Sequence, residues 1–293
     1  MTAPSALIRL ARPHQWVKNA FVVAPLFFTP EAINGRNLIL VALAVAVFCL
    51  LASAIYAFND WCDREADRQH PSKRLRPIAS GEVSPGAGLA FSAMLLLAAV
   101  ILTAAYMPRG FAVYAAVYAL FSILYSLRLK HIAVLDVLIV AFGFVLRVQG
   151  GSAAIGVAPT VWIVICTFLL ALFIALAKRR DDLTRDMQDS HRPALAGYNL
   201  RFVDSALSIV LAALLVSYLV YTTNEGVIHR YGTDQLYLTA PFVTAGVLRY
   251  LQIALVEERS GSPTEIALSD RFLMVAVLGW VATFGWLIYG RLL

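Results

Sequence analysis

The chain reads as an all-α, polytopic membrane protein of nine transmembrane helices. Three observations predict this. Sixty per cent of its 293 residues are hydrophobic and 14% are charged, where a soluble domain carries roughly 25% charged residues. Its mean hydropathy is +0.74. Apolar runs of about 20 residues recur from one end to the other, and in lipid only closed barrels or helices satisfy every backbone polar group.

The spans fall at 16–29, 38–58, 86–106, 110–127, 132–149, 158–177, 202–222, 235–254 and 271–290. The first is the weakest, because it is short and carries Pro25. Charge tests the count. With the N-terminus inside, and with Lys18 and Arg271 counted at the inner edges of their spans, eighteen of the 24 Lys and Arg fall in inner regions and four (Arg36, Arg109, Arg230, Arg291) in outer ones. Arg147 and Arg249 fall within spans. That asymmetry follows the positive-inside rule and predicts a multi-pass protein of the cell (inner) membrane with its working face toward the cytoplasm. The long inner loops are 59–85 and 178–201, so function concentrates there. No cleavable signal peptide is expected, since residues 1–12 lack a long apolar core. Residues 1–293 read as one integral-membrane domain, without a soluble domain or linker. The cysteines (Cys49, Cys62, Cys166) are scattered and the histidines form no HExxH, which argues against a disulfide framework and a zinc site. The net charge of +6 is explained by its distribution at the membrane surface and does not call for nucleic acid.

The most informative stretch is Asn59-Asp60-Trp61-Cys62-Asp63-Arg64-Glu65-Ala66-Asp67, directly after an apolar run. Asn59, Asp63 and Asp67 repeat every four residues, and Asp60 precedes Asp63 by three, which on one helix gathers four oxygen-bearing side chains. Such ligands suit Mg²⁺, which shares its shell with waters and substrate phosphates. Asp60, Asp63 and Asp67 are the expected metal-binding and catalytic residues, and Asn59 is expected to touch metal or substrate. Lys73, Arg74 and Arg76 follow, and cations beside a metal site suit phosphate.

A second cluster, Lys178-Arg179-Arg180-Asp181-Asp182-Leu183-Thr184-Arg185-Asp186, sets Asp182 and Asp186 four apart. It reads either as a second metal and phosphate half-site or as a positive-inside anchor whose carboxylates pair with Arg. Tyr125 and Lys130 close the fourth span, and Lys130 could reach a phosphate or serve as a snorkelling cation. In Arg12-Pro13-His14-Gln15-Trp16-Val17-Lys18-Asn19, Lys18 and Asn19 are candidates to face the site, with Trp16 equally an interface anchor. Asp136 lies near the inner end of the fifth span, where it could join the cytoplasmic cavity, and Arg147 toward its outer end, where it could snorkel; a structural ion pair within the membrane is an equal reading. Glu257, Glu258, Glu265 and Asp270 read as a solvated acidic loop.

The Asn-Asp-x-x-Asp-x-x-x-Asp pattern at 59–67, nine spans and a second charged cluster after the sixth resemble the UbiA superfamily of intramembrane prenyltransferases. The resemblance implies helices around a central cavity, with Mg²⁺ held on a diphosphate. Two departures stand out. The second motif is basic where the family's is acid-rich, and the Tyr-x-x-x-Lys element is one residue longer at Tyr125 to Lys130. Residues 12–19, 125–130 and the Leu135-Asp136-Val137-Leu138 to Arg147 stretch look like the decaprenyl-phosphate phosphoribosyltransferase branch. That branch implies a glycosyltransferase making the arabinose precursor of actinobacterial cell walls. Its donor is phosphoribosyl pyrophosphate (PRPP), its acceptor a polyprenyl phosphate lipid, and diphosphate is released. Lys18, Asn59, Lys73, Arg74, Arg76, Tyr125, Lys130, Lys178, Arg179, Arg180, Asp182 and Asp186 are its expected substrate contacts here. Surplus cations fit a donor with a diphosphate and a separate 5-phosphate. A phosphate acceptor is largely ionised near neutral pH, which fits the absence of an obvious catalytic His.

A prenyltransferase moving a prenyl chain onto an aromatic acceptor is the nearest alternative. A transporter is the non-enzyme alternative, opposed by acidic residues at the inner face rather than mid-membrane. A CDP-alcohol phosphotransferase would show an Asp-Gly-x-x-Ala-Arg element, which the sequence lacks. Apolar outward faces are compatible with a homo-oligomer, including a trimer.

Overall fold

In the computed structural model, residues 4–186 and 197–290 are described, without the side chains of 185 and 186. The described residues contain helices and no strand. Among the described residues, eight helices are long and apolar enough to cross a membrane. The chain divides into two compact units, 1–132 with 143–159, and 133–142 with 160–293.

The first unit begins with α1 (Pro4–Ala11). Arg12 then adopts a left-handed conformation, and Pro13–Asn19 forms a 3₁₀ helix before α2 (Ala20–Phe27). This is where the expected first span differs. At 16–29 the chain is the end of a 3₁₀ helix followed by eight residues of α-helix with Pro25 inside it, about 20 Å together at about 2.0 and 1.5 Å per residue. That falls short of the ~30 Å hydrocarbon core, so eight membrane-length helices stand where nine spans were expected.

α3 (Gly35–Cys62) has 28 residues, or about 42 Å. Its surplus over the hydrocarbon thickness carries the Asn59–Cys62 turn out of the core. Asp63 closes α3 and precedes α4 (Arg64–Gln69), with Asp67 N–H donating to Asp63 O at 2.8 Å. A 3₁₀ turn at Lys73–Leu75 leads to α5 (Pro85–Tyr106), which Ser84 caps, and then α6 (Arg109–Leu127). α3 packs on α5 and α6. Phe48 is fully buried, edge-on to Phe111 and Tyr118. At the acidic end of α3, Ala57 packs with Ala6, Leu10, Ile78 and Val83, tying α1 and the 70–84 loop to the helix that carries the motif.

α7 (Leu135–Ile155) contributes its first turns to the second unit and the rest to the first. Gly151 meets α2 so closely that a Cβ there would lie 2.0 Å from Val22 O. Glycine is what permits that approach.

The second unit contains α8 (Val161–Asp186), α9 (Leu200–Thr223), α10 (Glu225–Tyr231), α11 (Ala240–Leu255), α12 (Pro263–Ser269) and α13 (Arg271–Tyr289). Its core joins Phe173, Leu176 and Ala177 of α8 to Val203, Leu207, Leu211 and Leu214 of α9 and to Val247, Tyr250 and Ile253 of α11. Ile209 and Val216 on α9, and Val275 and Leu278 on α13, are exposed, as lipid-facing residues are. At the foot of α11 and α13, Arg249 pairs with Asp270 at 2.7 Å and Glu257 at 2.6 Å. Asp270 also caps α13 through Leu273 N–H. The expected solvated acidic loop is thus partly an ion-paired clasp.

Candidate active site

The acidic motif resolves into two pairs. Asp60 and Asp67, seven residues apart, share Arg76, which donates to Asp60 Oδ1 at 3.1 Å and Asp67 Oδ2 at 2.7 Å. Arg12 also donates to Asp60 Oδ1, at 2.7 Å. Asn59 and Asp63, four residues apart, are joined by an Asn59 Nδ2 to Asp63 Oδ2 bond of 3.0 Å, and Lys130 pairs with Asp63. Helical geometry explains the split. At about 100° per residue, positions four or seven apart nearly align, whereas Asp60 and Asp63 stand about 60° apart.

Asp60 and Asp67 are buried, with side chains 1% and 4% exposed. Burial raises the Asp67 carboxyl above the ordinary carboxylate range, and Arg76 and Lys73 pull against it. Among the described residues, no group of three or more His, Cys, Asp or Glu could hold a metal. Mg²⁺ does not need three, because it takes one or two carboxylates together with waters and substrate phosphates. One observation indicates that this donor set fits it: Asp60 Oδ2 is buried without a hydrogen-bond partner. A carboxylate oxygen left so is costly until a cation or donor reaches it. Oxygen-only donors are also the chemistry Mg²⁺ prefers.

Of the other expected contacts in this unit, Lys73 is half-buried beside the motif and Arg74 is exposed. Tyr125 is half-buried on α6. A groove of about 320 Å³ beside the Asp63–Lys130 pair is lined by Trp61, Cys62, Arg64, Ser126 and His131. Lys18 lies half-buried in the 13–19 turn. Arg147, expected either to snorkel or to join an ion pair, is buried instead among neutral partners, Asn19, Tyr118 and the Gly143 carbonyl.

The second cluster divides likewise. Arg179 pairs with Asp136 and reaches Asp182 at 3.2 Å. Tyr198 donates to Asp136 Oδ1 at 2.5 Å and accepts from Val134 N–H at 2.6 Å. Burial and the Asp136 carboxylate push the Tyr198 phenol far above its usual range. Val134 has φ of 70°, strained for a β-branched residue, and the Tyr198 bond secures that turn. Arg180 is buried and committed to packing, donating to Asp204 Oδ1 and the Ala254 carbonyl, each at 2.8 Å. Lys178 is exposed. The side chain of Asp186 lies outside the described residues.

Arg12 and Tyr198 were not among the expected site residues. The Arg12-Pro13 step signals a break in the helix, since a residue before proline avoids the α region. Nothing local marks Tyr198 as the partner of a residue 62 positions away.

Helices of membrane length, with buried carboxylates paired to guanidinium groups near their ends, define a multi-pass membrane protein with charged sites at helix ends. The UbiA prenyltransferase family model matches residues 20–274, and the chain belongs to that family, a family of transferases. It is 32% identical to the decaprenyl-phosphate phosphoribosyltransferase of Mycolicibacterium smegmatis over 97% of this chain and 93% of that one. It is 34% identical to the enzyme of the same name from Corynebacterium glutamicum, over 94% and 84%. Among solved structures it resembles a UbiA homolog from Archaeoglobus fulgidus bound to DMAPP and Mg²⁺, with a TM-score of 0.70 and 20% identity over 97% of this chain and 99% of that one. That likeness supports the fold.

Proposed function

We propose that this protein transfers the 5-phosphoribosyl group of PRPP to a polyprenyl phosphate, decaprenyl phosphate among them, releasing diphosphate. The observation that carries the proposal is the cation surplus around buried carboxylates in a chain whose full-length relatives bear that enzyme's name. Arg12, Arg76 and Lys130 all contact the acidic motif directly. A single diphosphate with a metal needs fewer cations than a donor with two phosphate-bearing ends and an anionic acceptor.

In this reading Asp60 and Asp67, with Asp63 and Asn59 beside them, would hold Mg²⁺, which when bound neutralises the leaving diphosphate. Arg76 and Lys130 are placed to exchange their carboxylate partners for phosphate oxygens as the donor enters. Lys73 and Arg74 add charge beside the acidic motif, and Lys178 at the other cluster. Arg179, held by Asp136 and Asp182, presents a fixed guanidinium, with the Asp182 carboxylate able to accept from ribose hydroxyls. Positive charge develops on the ribose ring as its C1–O bond to diphosphate lengthens. The lipid phosphate attacks C1 from the opposite face and the anomeric centre inverts. The acceptor oxygen is already ionised, so no residue need remove a proton from it. The charge asymmetry of the loops supports an active site at the cytoplasmic face of the cell membrane.

Purified protein with Mg²⁺, labelled PRPP and decaprenyl phosphate should yield phosphoribosylated lipid and diphosphate. Product formed only from a labelled prenyl diphosphate would replace this reading with prenyl transfer.

A further inference from the structure

Arg147 sits on the membrane-length helix α7 and is 6% exposed. Its Nε donates to Asn19 Oδ1 at 2.9 Å, one Nη to the Tyr118 hydroxyl at 2.8 Å and the other to Gly143 O at 3.0 Å. Its guanidinium also lies over the Tyr118 and Phe144 rings. These contacts aim the group but none neutralises it. Lys18, next in sequence to the Asn19 that Arg147 grips, lies within electrostatic reach of both Arg147 and Arg12. Among the described residues, no carboxylate pairs with Lys18 or Arg147; the nearby Arg12 is already committed to Asp60.

Two like charges brought together in a low-dielectric interior repel, and a buried cation is costly without a counter-ion. Packing explains why Arg147 is held still. It does not explain why a second cation is placed beside it. An anion between them explains both.

We propose that Lys18 and Arg147 form a seat for a phosphate monoester, separate from the Asp60–Asp67 pair and linked to it through Arg12. The nature of the ligand rests on the proposed function, in which two monoesters occur: the 5-phosphate of PRPP and the phosphate of the lipid acceptor. A transferase that releases diphosphate at its carboxylates needs a second place for the remaining anion. A fixed guanidinium with N–H groups to spare, together with an ammonium on a four-carbon stem, suits phosphate oxygens.

Binding tests this without turnover. Ribose 5-phosphate and farnesyl phosphate are titrated, by calorimetry and without Mg²⁺, into detergent-solubilised wild type, Lys18→Gln and Arg147→Gln. Loss of a charge-assisted hydrogen bond should weaken binding about ten- to hundredfold. We expect both variants to weaken at least one probe by that factor, and farnesol, which lacks the phosphate, to bind unchanged. Weakening of ribose 5-phosphate puts the donor's 5-phosphate in the seat, and weakening of farnesyl phosphate puts the acceptor there. Should Arg147→Gln fail to fold, Lys18→Gln decides alone. Wild-type affinity of Lys18→Gln for both phosphates, or no binding of either by the wild type, overturns the proposal. Failure of PRPP and polyprenyl phosphate to give product would instead defeat the proposed function, and these curves would still judge the seat.

Discussion

Asp60 and Asp67 are bridged by one guanidinium, that of Arg76, although they lie on different helices of the chain. The bridge holds two buried carboxylates close together. It also makes Arg76 both a structural partner and a group that substrate phosphate can recruit.

Arg76→Gln should therefore do two things. Breaking a buried pair by removing one partner costs about 3–5 kcal/mol, and the partial exposure of Arg76 puts the expected loss at the low end. Thermal unfolding in detergent should show that loss, and Mg²⁺ should recover part of it by taking over the two carboxylates. Unchanged stability with and without Mg²⁺ would separate Arg76 from the acidic pair.

Asp63 and Lys130 form the second pair of the motif. Asp63→Asn should leave the protein folded and abolish turnover. Lys130→Gln should raise the KM for PRPP about tenfold or more, the value of one charge-assisted contact. Normal activity of Asp63→Asn would remove the motif's metal role from this residue.

Arg179 and Arg180 are neighbours with different work. Arg180 holds α8 to α9 and to the end of α11, so Arg180→Met should lower stability by about 3 kcal/mol. Its KM for PRPP should stay within about twofold. Arg179→Met should do the reverse, impairing turnover more than stability. Measuring Tm and KM for both variants separates these roles.

The legible and illegible parts of the sequence divide along these lines. Eight spans and the acidic motif can be read because each is local: an apolar run of the right length, or carboxylates at helical spacing. The first expected span, 16–29, cannot, because its apolar run is shared between the end of a 3₁₀ helix and the short α2, and Arg12 separates both from α1. The four oxygen ligands read as one set, but they divide between Arg12 with Arg76 on one side and Lys130 on the other, since three residues at 100° each leave Asp60 and Asp63 about 60° apart. Arg180 and Arg179 look alike in sequence. Their difference depends on Asp204, Glu258 and Asp136, which are distant along the chain. The Asp136–Tyr198 bond is invisible for the same reason.

The clasp of Arg249 with Glu257 and Asp270 gives a pH dependence. Hydrogen bonds from Arg259 and Arg249 hold Glu257 below its ordinary value, and Arg249 does the same for Asp270. Carboxylates with depressed folded-state values add stability that is fully present above their unfolded values near pH 4 and lost as pH falls through the folded values. Thermal midpoints should thus fall below about pH 4, and Arg249→Met should flatten that acid limb. An identical acid limb in the variant would show that the clasp contributes nothing.

The central claim is the choice of donor, and it is tested most directly by offering both donors to one preparation. Purified protein in Mg²⁺ with decaprenyl phosphate receives either labelled PRPP or a labelled prenyl diphosphate with an aromatic acceptor. The expected result is phosphoribosylated lipid and released diphosphate from PRPP alone, lost in Asp60→Asn. Label transferred from the prenyl diphosphate, with none from PRPP, would contradict it.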